Sequence, residues 1–138
     1  MLAILDGKQD SNKYVTTLEN HLVPFVDELV GGVGLIFQQD NASIHTSRLT
    51  KAWFAEQKFD VLDWPAKSPD LNPVENLWGI LARAVYKNGR QFWSRTELIA
   101  CIRKCWEEIG ADYLAKLTNS MHKRCVEVLK NHGSKIDY

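Results

Sequence analysis

Little in these 138 residues is in surplus, and each shortage excludes something. Net charge is lacking: 17 Lys and Arg balance 17 Asp and Glu, so no whole-chain field announces a nucleic-acid or membrane partner. Cysteine is scarce. Cys101, Cys105 and Cys125 form no even set and no C-x-x-C, which excludes a disulfide framework and suits a reduced, intracellular chain. Cys101 and Cys105 fall one helical turn apart on an apolar face, where a free thiol packs as a small hydrophobe. The four histidines lack zinc-ligand spacing. No apolar run is long enough to cross a bilayer and no secretory signal is recognisable, so the reading includes no membrane. Repeats, low-complexity tracts and flexible linkers are missing as well.

What remains is one domain large enough to bury a core. Its charge is unevenly spread. Residues 1–78 carry six Lys and Arg against eleven Asp and Glu, while residues 79–130 carry ten against five. An acidic part suited to cations therefore precedes a basic part suited to phosphates, or the whole is a mixed solvated surface.

The local signals alternate between strand and helix. Leu2-Ala3-Ile4-Leu5 before Asp6-Gly7 reads as a strand entering a turn. Ser11 or Asn12 caps a helix with Tyr14, Val15, Leu18, Leu22, Phe25 and Val26 on one side, which Pro24 interrupts or closes. Gly31-Gly32 is a hinge or turn. Val33 to Gln39 reads as a central strand covered on both faces. A helix from about Thr46 to Gln57 buries Leu49, Trp53 and Phe54. Phe59 to Trp64 is the next strand, so the unit is βαβ and the pair parallel.

Proline is rare too, yet Pro65, Pro69 and Pro73 cluster into a rigid, extended loop. Asn72 caps the following helix and Pro73 takes its first position, with Val74, Leu77, Trp78, Leu81 and Val85 spaced for burial. Lys87 to Trp93 is a basic, aromatic loop. Trp93, beside Arg90 and Arg95, offers either a stacking surface for nucleic acid or a half-buried core position. Ser94-Arg95-Thr96-Glu97 is a capping box. A short helix is expected from Asp112 and a last one from about Ser120 to Asn131, which Gly133 ends in a left-handed conformation.

Two carboxylates stand out. Asp40 closes the central strand, where open α/β sheets place ligands. Glu75 lies in the first turn of the proline-led helix, with 34 residues between them. Each has a structural reading: Asp40 an Asx turn, Glu75 the third residue of a capping box. Their functional reading is a pair of hard oxygen donors for Mg²⁺ in phosphoryl transfer on nucleic acid. His45 reads as a contact to phosphate or active-site water, or as structural. Asp63 and Asp70 are further carboxylates that suit loop hydrogen bonds or the same cation.

The segments Gln39-Asp40-Asn41-Ala42-x-x-His45-Thr46-Ser47 and Leu62-Asp63-Trp64-Pro65-Ala66-x-Ser68-Pro69-Asp70-Leu71-Asn72-Pro73-x-Glu75-x-Leu77-Trp78 resemble the catalytic core of mariner-superfamily transposases, in the nematode-element branch. Ser120-Met121-x-x-Arg124-Cys125 resembles the family's C-terminal end. The resemblance implies an α/β, ribonuclease-H-like catalytic core with C-terminal helices. It implies cut-and-paste transposition through an Asp-Asp-Glu triad, with Asp40 and Glu75 as catalytic residues and ligands of two Mg²⁺ (or Mn²⁺) ions. Asn41, His45, Asp70 and Asn72 would support them, and Arg90, Trp93 and Arg95 would touch DNA. Transposon ends and target DNA are the implied partners, with a homodimer or another transposase subunit, and the location is the nucleus if the host is eukaryotic. The family's first catalytic Asp lies upstream of the segment resembling Leu2 to Gly7. Residues 1–138 are therefore expected to be part of a catalytic domain, truncated at the N-terminus, keeping two of three ligands and impaired alone. The alternative is a non-catalytic remnant that binds nucleic acid or a transposase subunit.

Overall fold

Pro24 sits inside a helix without ending it. The structure, a computed structural model, describes residues 2–30 and 35–138. Helices α1 (Ser11–Thr17) and α2 (Val23–Val30) are joined through a π-turn at Leu18–Leu22. Proline lacks an N–H, and its ring collides with the carbonyl four residues back. The wider turn removes that conflict, with the Val23 N–H donating to Leu18 O, five residues back. The surplus residue also shifts the helix phase, so Val26 rather than Phe25 follows Leu18 into the interior. The cap of α1 is Asp10, not Ser11 or Asn12; its carboxylate accepts from the Lys13 N–H at 2.9 Å.

The sheet is smaller than expected. Strands β1 (Ile36–Phe37) and β2 (Asp60–Val61) pair in parallel, Ile36 opposite Asp60 and Phe37 opposite Val61, and the Leu62 N–H extends the ladder to Phe37 O. Helix α3 (Arg48–Gln57) connects them, as the βαβ reading requires. Val33 and the Gly31-Gly32 turn lie outside the described residues. Strand β1 is not covered on both faces: Phe37 packs inward, whereas Ile36 is 62% exposed. Leu2 to Leu5 is irregular rather than a strand, since a ladder needs a neighbouring backbone and the described sheet has only two strands.

The described residues fall into two compact units, Ala3–Lys67 and Ser68–Tyr138. The core of the first is Leu18, Trp53 and Phe54, ringed by residues that include Tyr14, Val15, Phe37 and Phe59. Helix α3 starts after Ser47, whose hydroxyl accepts from the Thr50 N–H. It buries Thr50 where Leu49 was expected; Leu49 is exposed. The Thr50 hydroxyl donates to Ile44 O at 2.7 Å, so its burial leaves no polar atom unpaired.

The second unit holds a 3₁₀ turn (Pro69–Leu71), α4 (Pro73–Val85), a 3₁₀ turn (Lys87–Gly89), α5 (Arg95–Glu107) and α6 (Ala111–Lys130). Leu77, Leu81 and Val85 of α4 are buried at a spacing of one turn. Val74 and Trp78, expected in the core, are exposed, and Trp78 lies against Trp106 of α5 with ring centroids 5.9 Å apart. One helix, α6, replaces the two expected. Ser120 does not cap; its hydroxyl donates back to Leu117 O at 2.6 Å within the helix. A Schellman end follows, with His132 and Gly133 both at positive φ and their N–H groups on Leu129 O and Val128 O. No helix of the described residues is long and apolar enough to cross a membrane.

Candidate active site

Asp40 stands three residues beyond β1, at the carboxyl ends of the parallel strands. There the first unit opens a cleft of about 460 Å³ whose lining includes Asp40, Asn41, His45, Lys51, Asp63 and Trp64. Both expected Asp40 roles begin from the same geometry. Its Oδ1 accepts from the Ala42 N–H at 2.9 Å, which is the Asx turn, and from His45 Nδ1 at 2.6 Å. A tight turn brings His45 round, with the His45 and Thr46 N–H groups both on Ala42 O. The second oxygen, Oδ2, has no partner among the described residues. The side chain is 59% exposed. The Ala42 N–H holds the Asp40 carboxyl below its ordinary range; partial desolvation opposes this and His45 adds to it. An ionised carboxylate only accepts, so Nδ1 of His45 is the donor in this pair.

Behind this pair lies a support that the sequence reading missed. The Tyr14 hydroxyl on α1 donates to Gln39 Oε1 at 2.8 Å, and Gln39 Nε2 donates to His45 O at 3.3 Å. The Tyr14 ring lies 4.3 Å from the His45 ring, centroid to centroid. Burial first, and the Asp40 charge second, push the Tyr14 hydroxyl well above its usual range. Tyr14 therefore stays a neutral donor. Asn41 is structural in its contacts: Nδ2 donates to Trp64 O at 2.7 Å and ties the exits of the two strands together.

In the second unit Glu75 occupies the third position of α4. Asn72 caps that helix as expected, its side chain accepting from the Val74 N–H, and Pro73 takes the first position. The Glu75 backbone N–H donates to Asn72 O. Its exposed carboxylate has no hydrogen-bond partner among the described residues, so it does not close a capping box. Asp70 is buried. Its Oδ2 accepts from the Ile136 N–H at 2.9 Å. Arg124, 1% exposed, binds this region together. Its guanidinium donates to Asp70 O at 2.6 Å, Asn76 Oδ1 at 2.8 Å and Ser120 Oγ at 2.9 Å, and it lies over the Tyr138 ring. The turn before Glu75 and the residue after it are thus held by one cation. Only the C-terminal motif hinted at Arg124, since Arg is rarely fully buried.

The basic loop departs from its half-buried reading. Trp93 is 95% exposed. Arg90 and Arg95 are exposed beside it. Among the described residues no three His, Cys, Asp or Glu side chains come together as a metal-holding group.

The description "DDE superfamily endonuclease" belongs to a family model that matches residues 1–99. The Tc3 transposase of Caenorhabditis elegans is 38% identical over 137 residues, covering 99% of this chain and 41% of that protein. The chain spans less than half the length of the curated nematode relatives it matches. Among solved structures, the Mos1 transposase catalytic domain with raltegravir and Mn matches with TM-score 0.84 at 19% identity, over 95% of this chain and 67% of that one. The Mos1 paired-end complex with left transposon end also matches with TM-score 0.84, at 20% identity, over 95% and 38%. These structural likenesses establish the ribonuclease-H-like fold.

Proposed function

This chain belongs to the DDE superfamily endonucleases, and from that premise we propose that it is part of the catalytic domain of a cut-and-paste transposase, acting in metal-dependent DNA strand cleavage and transfer. The observation that carries the reading is the Asp40 carboxylate, held below its ordinary titration range at a strand end, with one oxygen fixed and the other without a partner among the described residues. Transposon ends and target DNA are the proposed substrates, a second transposase subunit the proposed partner, and the nucleus the proposed place in a eukaryotic host.

The donor set fits Mg²⁺ or Mn²⁺. Asp40 and Glu75 are hard oxygen donors, and neither Asp40 Oδ2 nor the Glu75 carboxylate is spent on a protein hydrogen bond among the described residues. We assign these two as the ligands; their pairing rests on the family motif and its 34-residue spacing. Bound there, divalent ions would supply charge stabilisation and activation of water or a 3′-hydroxyl for in-line displacement. The protein's own contribution is positional. His45 and the Ala42 N–H fix the Asp40 rotamer, and Tyr14 and Gln39 fix His45. Asn41 holds the strand exits. Asn72, Asp70 and Arg124 hold the start of the helix that carries Glu75. Displacing a reacting group by about an ångström can cost ~100-fold in rate, which gives such supports their value. Arg90, Trp93 and Arg95 are the proposed DNA contacts.

Mn²⁺ binding to the 138-residue chain, followed by electron paramagnetic resonance, tests the assignment. Asp40→Ala and Glu75→Ala are each expected to weaken uptake, alongside any Mn²⁺-dependent nicking of supercoiled plasmid. Uptake unchanged in the double variant would remove both residues from the site. The alternative, a DNA-binding module without catalysis, is favoured by one observation, the exposed basic loop.

A further inference from the structure

An indole left almost wholly in water forgoes one of the larger hydrophobic gains available to a side chain. Trp93 does so on a loop that is otherwise well anchored. Phe92 is half-buried and meets Tyr86 edge-on, centroids 5.8 Å apart. The Trp93 N–H is held by the Glu97 carboxylate at 3.1 Å, and Ser94 caps α5 immediately after it. The loop is pinned on both sides of Trp93 while its ring projects outward. From Tyr86 to Leu98 the charged residues are Lys87, Arg90, Arg95 and Glu97. The three cations are exposed, and the one acid is turned onto the Trp93 backbone. An exposed ring on a pinned backbone among cations has the make-up of a stacking platform for unpaired nucleotides: every base offers a π-face, and the cations attract the phosphates.

We propose that Trp93 stacks on an unpaired base and that Lys87, Arg90 and Arg95 hold the adjoining phosphates, so that this loop takes single-stranded in preference to double-stranded DNA. The inference deepens the proposed function, in which strand cleavage frees DNA ends, but it does not depend on catalysis. In duplex DNA the bases are already stacked on one another and only the phosphates remain available to the loop. Trp93 is therefore a discriminator between the two forms, whereas the cations serve both.

Fluorescence anisotropy with a fluorescein-labelled oligothymidine and a duplex of equal length tests this on the full chain. No divalent ion is added, so cleavage does not enter the readout and a failure of the metal-site reading would leave this result untouched. Trp93→Ala is expected to weaken single-strand binding by about tenfold or more and duplex binding by less than about twofold, with Trp93→Phe retaining most of the affinity. Lys87→Gln is expected to weaken both forms alike and to lower the salt slope by about one. Unchanged single-strand binding in Trp93→Ala would overturn the proposal, as would equal losses for both DNA forms or no oligonucleotide binding at low salt. The last result would turn attention to a protein occupant. Circular dichroism of the variants checks that an outward ring was removed without unfolding.

Discussion

Replacing Arg124 tests how the region around Glu75 is held. The guanidinium makes three hydrogen bonds, to Asp70 O, Asn76 Oδ1 and Ser120 Oγ, and none of these acceptors carries a full charge. Hydrogen bonds from a charged donor are each worth about 1.5–3 kcal/mol, but three made by one group do not add. Removing a buried cation also relieves a desolvation cost of several kcal/mol. What remains is mainly the penalty of leaving the buried Asp70 O and the partly buried Asn76 Oδ1 unpaired, about 1–3 kcal/mol each. Arg124→Met is therefore expected to destabilise the second unit by about 3–5 kcal/mol. Arg124→Lys should be no milder. It keeps the charge and its burial cost, yet a single ammonium lacks the planar fork that reaches three acceptors from one position. Urea unfolding followed by tryptophan fluorescence would measure both losses, and hydrogen exchange at the Ile136 amide would report release of the C-terminal segment. An Arg124→Lys protein within about 1 kcal/mol of the parent would refute the clamp.

Two further outcomes follow from contacts beside the two carboxylates. Tyr14→Phe removes the donor to Gln39 and should cost about 1 kcal/mol. Because the Tyr14 hydroxyl is raised above its ordinary value in the fold, its contribution is fully present below pH ~10 and is lost as pH rises beyond. The stability gap between parent and Tyr14→Phe, measured by urea unfolding from pH 8 to 11, should therefore shrink or reverse at the alkaline end, and a constant gap would contradict the shift. Asn72→Ala removes the cap of α4 at a cost of about 1 kcal/mol, readable in the same unfolding experiment, with Asn72→Asp expected to restore most of it.

Signals confined to a few neighbouring residues were legible in the sequence. Asn72-Pro73 and Ser94 to Glu97 announce their helix starts because the donors and acceptors sit within one turn. The parallel pairing of β1 with β2 follows from the intervening helix. Burial was harder to read. Ile36, Leu49, Val74 and Trp78 are apolar at plausible core positions and yet exposed, since which face is covered depends on what packs against it. Thr50 and Arg124 are polar and buried, Thr50 because Ile44 O just ahead of its helix satisfies it and Arg124 because acceptors on Asp70 and Asn76, far away in sequence, do. The proposed ligands Asp40 and Glu75, and His45 beside Asp40, come from their motifs. Tyr14 does not, being tied to Gln39 across 25 residues by a hydrogen bond that no local pattern encodes. The expected helix start at Ser120 failed because serine serves a cap and a mid-helix back-bond with the same hydroxyl.

The π-turn ahead of Pro24 uncouples chain length from side-chain direction. An α-helix that gains or loses a residue rotates everything beyond it by about 100°, which would swing Val26 out of the interior. Here one additional residue is taken up in a single loosened coil, and the buried stripe resumes in line. A relative missing both that residue and the proline could run straight through as plain α-helix and still keep the residue aligned with Val26 inside, so alignments of such sequences should allow a one-residue gap there.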